Sequence, residues 1–236
     1  MNKILGYCLD TANIDWIKEG MEMYPLRAFS MNPGIARRDL MGKDQSFFDA
    51  LKEIRETIGE NTEFHVQTIG PTAEEIIKDA EAIRAHVKGD NLYVKIDAYP
   101  EGYKAMKKLH AMGYKITATA IVTVNQALLS IEAGADCVAV YVGRADNISG
   151  NGIKVVEEIG KVMKMKGINN VILAAASMRT AHQVEQAALA GADNVAVSLD
   201  LLKACASHPL TNSSVDAFVK DWETLYGEGK RIYNLE

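Results

Sequence analysis

One passage occurs twice in this chain, as AGADCVAVY at residues 133–141 and as AGADNVAVS at residues 190–198. In each copy a glycine stands where a preceding helix must stop, and an apolar, β-branched run follows at once. Helix, glycine stop and strand form the repeating unit of a parallel α/β fold. The same texture extends outward in both directions. Runs at 4–10 (ILGYCLD), 26–31, 63–68, 91–96, 115–120, 136–141, 170–175 and 193–198 predict eight strands. Helical spacing of apolar residues marks 73–86, 101–112, 124–133, 152–166 and 181–190 between them.

Such alternation leaves two architectures, a (β/α)₈ barrel or an open doubly wound sheet. The count of eight favours the barrel. So does the lack of a GxGxxG turn after any early strand, since Gly150-Asn151-Gly152 comes late and with the wrong spacing. Residues 211–227, TNSSVDAFVKDWETLYG, read as an additional amphipathic helix with no strand to serve. A single domain over 1–236 is expected, the last helix capping the barrel or docking on a neighbouring subunit.

The 236 residues are 48% hydrophobic and 24% charged, with 26 basic and 31 acidic side chains and a formal net charge of −5. That apolar fraction excludes a disordered chain. Mild, mixed acidity leaves no footprint for nucleic acid or an anionic membrane, so small-molecule partners are expected. No apolar run approaches the roughly 20 residues that cross a bilayer, and the apolar patch in MNKILGYCLD reads as too short for a signal peptide. Cys8, Cys137 and Cys205 are odd in number and far apart, which suits a reducing, cytoplasmic compartment. His65, His86, His110, His182 and His208 show no metal-ligand spacing, and no metal is assigned.

In a barrel of this kind the site lies at the C-terminal ends of the strands, and side chains alternate inward and outward. Anchoring each strand on its last polar residue turns these pairs inward: Cys8 and Asp10, Ser30 and Asn32, His65 and Gln67, Tyr93 and Lys95. The later strands give Thr117 and Thr119, Ala139 and Tyr141, Ala175 and Ser177, Ala196 and Ser198. Lys95 stands out because its run, Leu92-Tyr93-Val94-Lys95-Ile96, otherwise reads as a buried strand. Desolvation disfavours an ammonium and leaves a neutral amine able to attack a carbonyl. The plain alternative is a lysine snorkelling out or pairing with Asp97. Asp10 either pairs with Lys95, relays protons for it, or caps the helix after Thr11-Ala12-Asn13. Asn32-Pro33-Gly34 alone reads as a turn. Tyr141 is an acid–base group or a packed aromatic. Arg144 and Arg179 are surface charges, or anion ligands near the loops after strands six to eight.

Taken together, LDTAN (9–13), MNPGI (31–35), VKI (94–96), NQALLSIEAGAD (125–136), YVGRADNISGNG (141–152) and ILAAASMRTAHQ (172–183) resemble the small transaldolase family, closest to its fructose-6-phosphate aldolase branch. The resemblance runs from about residue 5 to the tail at 208–222. It implies a (β/α)₈ barrel, a Schiff-base lysine at Lys95, no organic cofactor, and a homo-oligomer, a decamer in the family, whose C-terminal helix packs on a neighbour. It also implies proton transfer by Asp10, a grip on the hydroxylated carbons by Asn32, and a phosphate clamp of Arg144, Ser177 and Arg179. The family's transferases carry glutamate and phenylalanine where this chain has Gln67 and Tyr141, the aldolase-type pair. Gln67 and Thr119 would hold a water and Tyr141 supply a proton, so that the fragment left on Lys95 is hydrolysed rather than passed on.

The chain departs from the family pattern at Ser30-Met31, at Gly34, at Asp97 (usually proline), at Val140 and at Thr117, which shares a face with Thr119 and would touch the donor fragment together with Ser30. The expected activity is a class I aldolase joining or splitting a dihydroxyacetone-type donor and an aldehyde, with fructose 6-phosphate as the substrate. The rivals are a transaldolase acting on phosphosugars or sulfosugars and a sugar-phosphate-binding barrel without turnover.

Overall fold

The computed structural model describes residues 5–235. It has eight parallel strands: β1 (Gly6–Asp10), β2 (Leu26–Met31), β3 (Glu63–Gln67), β4 (Leu92–Asp97), β5 (Lys115–Ile121), β6 (Cys137–Tyr141), β7 (Ile172–Ala176) and β8 (Asn194–Val197). They pair in chain order, and β1 pairs with β8 from Gly6↔Asn194 to Leu9↔Val197, which closes the barrel. Every predicted strand is present, to within two residues. Ile4, placed in the first of them, lies outside the described residues.

Helices cover the outside: α1 (Ile14–Met23), α2 (Pro33–Leu40), α3 (Phe47–Ile58), α4 (Ala73–His86), α5 (Pro100–Ala111), α6 (Val124–Glu132), α7 (Val142–Asp146), α8 (Gly152–Lys166), α9 (Ala181–Leu189), α10 (Leu199–Ala206) and α11 (Pro209–Tyr226). Three of them start with reciprocal capping boxes, Thr72 with Glu75, Thr123 with Gln126 and Thr180 with Gln183. The duplicated passage explains itself in hydrogen bonds. Gly134 (φ +95°) and Gly191 (φ +91°) take the left-handed turn that ends α6 and α9. The next residues, Ala135 and Ala192, donate back to Ser130 and Ala187. The aspartates finish the motif: Asp136 accepts the Ile116 N–H (2.8 Å) and Asp193 the Leu173 N–H (2.9 Å), each pinning the start of a neighbouring strand.

Strand alternation sorts the core into two layers. Outward side chains such as Val94, Ile96, Val138, Val140, Ala175 and Val195 pack beneath the helices. Inward ones form a second, smaller layer of Cys137, Ala139, Tyr141, Ala174 and Ala176. The alanines there, with Ala196, leave the lumen open on the β6–β8 side. One parity expectation is corrected: β7 turns Ala174 and Ala176 inward, and Ala175 faces the helices. Ser177 nevertheless reaches the mouth, because its φ of +61° breaks the alternation just past the strand end.

The second correction lies between β2 and β3. Asn32-Pro33-Gly34 is no turn: Asn32 Oδ1 accepts the Ile35 N–H (3.0 Å) and Pro33 takes the first helical position, so α2 begins there. The tail forms α11, 18 residues of which none is buried, with Leu210, Phe218 and Leu225 each about 70% exposed. Among the described residues no helix is long and apolar enough to cross a membrane.

Candidate active site

At the C-terminal mouth of the barrel lies a cavity of about 240 Å³. Lys95, Asp10, Asn32, Tyr141, Arg144, Ser177 and Arg179 all line it, seven of the eleven site residues expected from sequence. Lys95 rises from the middle of the β4 ladder, between Gln67 on β3 and Thr117 on β5, and is only 7% exposed. Its carbonyl is held by the Thr68 backbone N–H (3.0 Å) and hydroxyl (3.2 Å). The stem therefore has a fixed origin while the amine faces the lumen.

Neither ion pair considered for Lys95 forms. Asp10 accepts the Ser30 hydroxyl at Oδ1 (2.5 Å), across the Asp10↔Ser30 register of β1 and β2, and stands in the cavity wall. The helix that follows is capped by Asn13 instead. Asp97 accepts from Gln67 Nε2 (3.0 Å). Asn32 has its amide oxygen engaged by the α2 backbone, which leaves its NH₂ as the part with hydrogen bonds to give.

On the far side the Arg144 guanidinium lies 4.8 Å from the centre of the Tyr141 ring, a cation–π contact that orients both. Arg179 belongs to the same rim through its backbone. Its N–H donates to Gln183 Oε1 (2.7 Å), Gln183 Nε2 donates to Asp146 Oδ2 (2.7 Å), and Asp146 Oδ1 accepts the Gly152 N–H (2.9 Å). This chain ties the loop after β7 to α7 and α8. Gly143 lets the two backbones approach: a Cβ there would meet the Ser177 carbonyl oxygen at 2.2 Å.

The other four expected residues sit elsewhere. Ser30 and Thr117 line a small void of about 30 Å³ below, which Lys95 shares with Cys8, His65, Cys137 and Asn194. Thr117 Oγ1 lies 2.7 Å from His65 Nδ1, and the imidazole stacks on Tyr93 with ring centres 4.5 Å apart. Burial lowers the pKa of His65, with the Lys95 charge adding to the effect against the pull of Glu63. It raises the thiol of Cys8 and pushes that of Cys137 up to about 12. Gln67 and Thr119 flank Asp97 on the neighbouring strands, and both carry a buried side-chain oxygen without a protein partner.

Sequence reasoning missed Arg38, which lines the main cavity with Gly34 and Ile35 from one face of α2. Its guanidinium pairs with Asp39, which also accepts the Thr11 hydroxyl (2.7 Å) and the Ala12 N–H (2.8 Å). The signal was the Asn32-Pro33 helix start, which puts positions 34, 35 and 38 on one side. A second cavity of about 330 Å³ next door is walled mainly by Met31, Phe47, Phe48, Val66 and Ile83. No amine or guanidinium lines it, in contrast to the polar cavity. Among the described residues no group of three or more His, Cys, Asp or Glu side chains could hold a metal ion.

Comparison with known proteins bears on this arrangement. The family described as Transaldolase/Fructose-6-phosphate aldolase matches residues 7–229. A probable fructose-6-phosphate aldolase of Streptococcus pneumoniae is 39% identical over 218 residues, 92% of this chain and 96% of that protein. A probable transaldolase of Clostridioides difficile is 36% identical over 219 residues, 93% of this chain and 97% of that one. Among solved structures, thiamine phosphate pyrophosphorylase from Pyrococcus furiosus superposes with a TM-score of 0.57 at 17% identity, over 84% of this chain and 86% of its own. The "Native KDPGal structure" gives 0.55 at 12% identity, over 85% of both chains. These two share the barrel fold.

Proposed function

This chain belongs to the transaldolase/fructose-6-phosphate aldolase family, and from that premise we propose that it is a Schiff-base aldolase acting on a dihydroxyacetone-type donor and an aldehyde, with fructose 6-phosphate as substrate. The observation that carries the reading is a buried amine, Lys95, sharing one cavity with a carboxylate, a phenol and three guanidinium groups, those of Arg38, Arg144 and Arg179. Lys95 attacks the ketone carbon, water leaves, and the iminium draws electrons from the neighbouring bond. Asp10 takes the proton of the hydroxyl on the β-carbon, one carbon further from the iminium, as the bond between the α- and β-carbons breaks and that β-carbon becomes the aldehyde. The aldehyde departs, its phosphate having been held by Arg144, Ser177 and Arg179. Asn32 grips the hydroxylated carbons beside the imine, and Ser30 and Thr117 support the donor from below. Tyr141 then protonates the enamine, and a water beside Gln67 and Thr119 hydrolyses the product imine to dihydroxyacetone.

The transferase reading has one specific support, the relatives named probable transaldolase. In that case the enamine meets a second aldehyde before a proton. The assembly we propose is a homo-oligomer that buries the apolar side chains of α11; sedimentation velocity on the purified protein tests it.

Intact-mass spectrometry after borohydride reduction tests the chemistry. The wild type should gain one reduced dihydroxyacetone or fructose 6-phosphate adduct, and Lys95→Met should gain none. An unmodified wild type with both compounds would sink the Schiff-base reading.

A further inference from the structure

We infer that Asp97 is a positioning residue that fixes the orientation of the Gln67 carboxamide, and through it the water that releases the donor fragment; the inference rests on Lys95 as the Schiff-base nucleophile. Asp97 lies two residues beyond Lys95 on β4 and so shares its inward face. Gln67 is in register with Lys95 from the β3 side, and Thr119 is in register with Asp97 from the β5 side. Three polar side chains thus lie on adjacent strands, Gln67 level with the amine and Asp97 and Thr119 just beyond it, with Gln67 also in the wall of the neighbouring cavity of about 330 Å³.

An ionised carboxylate accepts hydrogen bonds and has none to give. Beside it the Gln67 amide must present its NH₂, as the 3.0 Å bond from Nε2 to Asp97 Oδ1 records. The other end of the amide, Oε1, is then buried with no protein partner, as is the Thr119 hydroxyl on the far side of Asp97. A buried acceptor left unmade is costly, and the small polar partner that completes such sites is water. Water held at Gln67 Oε1 must donate to it, which leaves its lone pairs free to attack the imine carbon. In that attack the carbon–oxygen bond forms and the iminium π pair returns to the Lys95 nitrogen; the two protons of the water then pass to that nitrogen as the carbon–nitrogen bond breaks, giving the ketone and the Lys95 ammonium.

Without the Asp97 carboxylate nothing holds the amide. Turned over, it would offer NH₂ to the lumen and occupy the lone pair that hydrolysis needs. The family pattern places proline where this chain has Asp97, so the restraint is a feature of this sequence. Burial raises the pKa of Asp97, opposed by the Gln67 hydrogen bond and by the positive charges of Lys95 and Arg144.

The test loads wild type, Asp97→Leu, Asp97→Asn, Gln67→Leu and the Asp97→Leu/Gln67→Leu double variant with dihydroxyacetone, then removes excess donor and follows release by borohydride quenching and intact mass. Asp97→Leu should slow release about 10- to 100-fold, the worth of one hydrogen bond to a charged group. The amount of adduct and the KM for donor should stay within about twofold. Asp97→Asn, which keeps an acceptor, should recover most of the rate. On the Gln67→Leu background, Asp97→Leu should add nothing. Unchanged release in Asp97→Leu, equal losses in the Leu and Asn variants, or additive losses in the double variant would overturn the inference while leaving the nucleophile in place. Absence of adduct on the wild type would remove both.

Discussion

Gly143 offers the sharpest test of the proposed phosphate clamp of Arg144, Ser177 and Arg179. Its Cα is pressed against the carbonyl of Ser177, and the Cβ of Gly143→Ala would sit 2.2 Å from that oxygen and 3.2 Å from Arg179 Cγ. Protein Cβ atoms are essentially never closer than 3.0 Å to another heavy atom, so the backbones of α7 and the β7 loop must part by about 0.8 Å. Arg144 is the next residue along one of these backbones, and Ser177 and Arg179 stand on the other. A clamp opened by that much loses a charge-assisted hydrogen bond, worth about 1.5–3 kcal/mol. KM for fructose 6-phosphate should therefore rise about 10- to 100-fold. Dihydroxyacetone carries no phosphate, and its borohydride-trapped adduct should form as in the wild type. Steady-state kinetics beside intact mass gives both numbers, and a thermal melt confirms folding. Gly143 is not in the left-handed region, so an alanine there is opposed by the contact with Ser177 and not by its backbone conformation. A folded Gly143→Ala protein with KM within twofold of wild type, or with adduct and KM impaired together, would refute the reasoning.

Tyr141→Phe should lower hydrolysis relative to transfer by about 100-fold, the low end for a lost general acid; an unchanged product ratio with an added acceptor aldehyde removes Tyr141 from the proton step. Asp39→Ala strands the Thr11 hydroxyl and the Ala12 N–H, each at about 1–3 kcal/mol, so urea unfolding should show a loss of about 3 kcal/mol. Burial raises the Asp39 pKa, but the bonds from Arg38, Ala12 and Thr11 more than reverse it. Its stabilisation is therefore full above the unfolded value of about 3.9 and fades as pH falls through the lower folded one, an acid limb that Asp39→Ala should lack. Alkylation of the native protein at pH 8 should label Cys205 at most. Cys8 and Cys137 are buried with raised pKa, and rapid labelling of either would contradict the packing of the lumen.

The barrel was readable because its strands contrast with their surroundings and the AGAD stops fall on the helix ends. Where contrast fails, so does the reading. Ala174-Ala175-Ala176 offers no polar mark to set parity, and the left-handed Ser177 disguises the error by reaching the mouth from the opposite register. Asn-Pro-Gly carries the chemistry of both a turn and a helix start, and only the packing of α2 selects the second. With α2 hidden, Arg38 was hidden too. The residues lining the main cavity were legible one by one, as strand-end polar groups. Who bonds to whom was not. The partnerships of Asp10 with Ser30 and of Gln67 with Asp97 depend on register between strands that are 20 and 30 residues apart in sequence.

The pairing of β1 with β8 has a consequence for the nascent protein. Gly6 meets its β8 neighbour only at Asn194, so the strand carrying Asp10 emerges early and waits for about 190 residues of synthesis. At ribosomal speeds of about 5–20 residues per second that is on the order of ten to forty seconds with an unsatisfied strand edge. Every prematurely terminated chain shorter than this keeps that edge bare and open to foreign strands. Only a chain that extends through β8 can close the seam of the barrel and cover that edge.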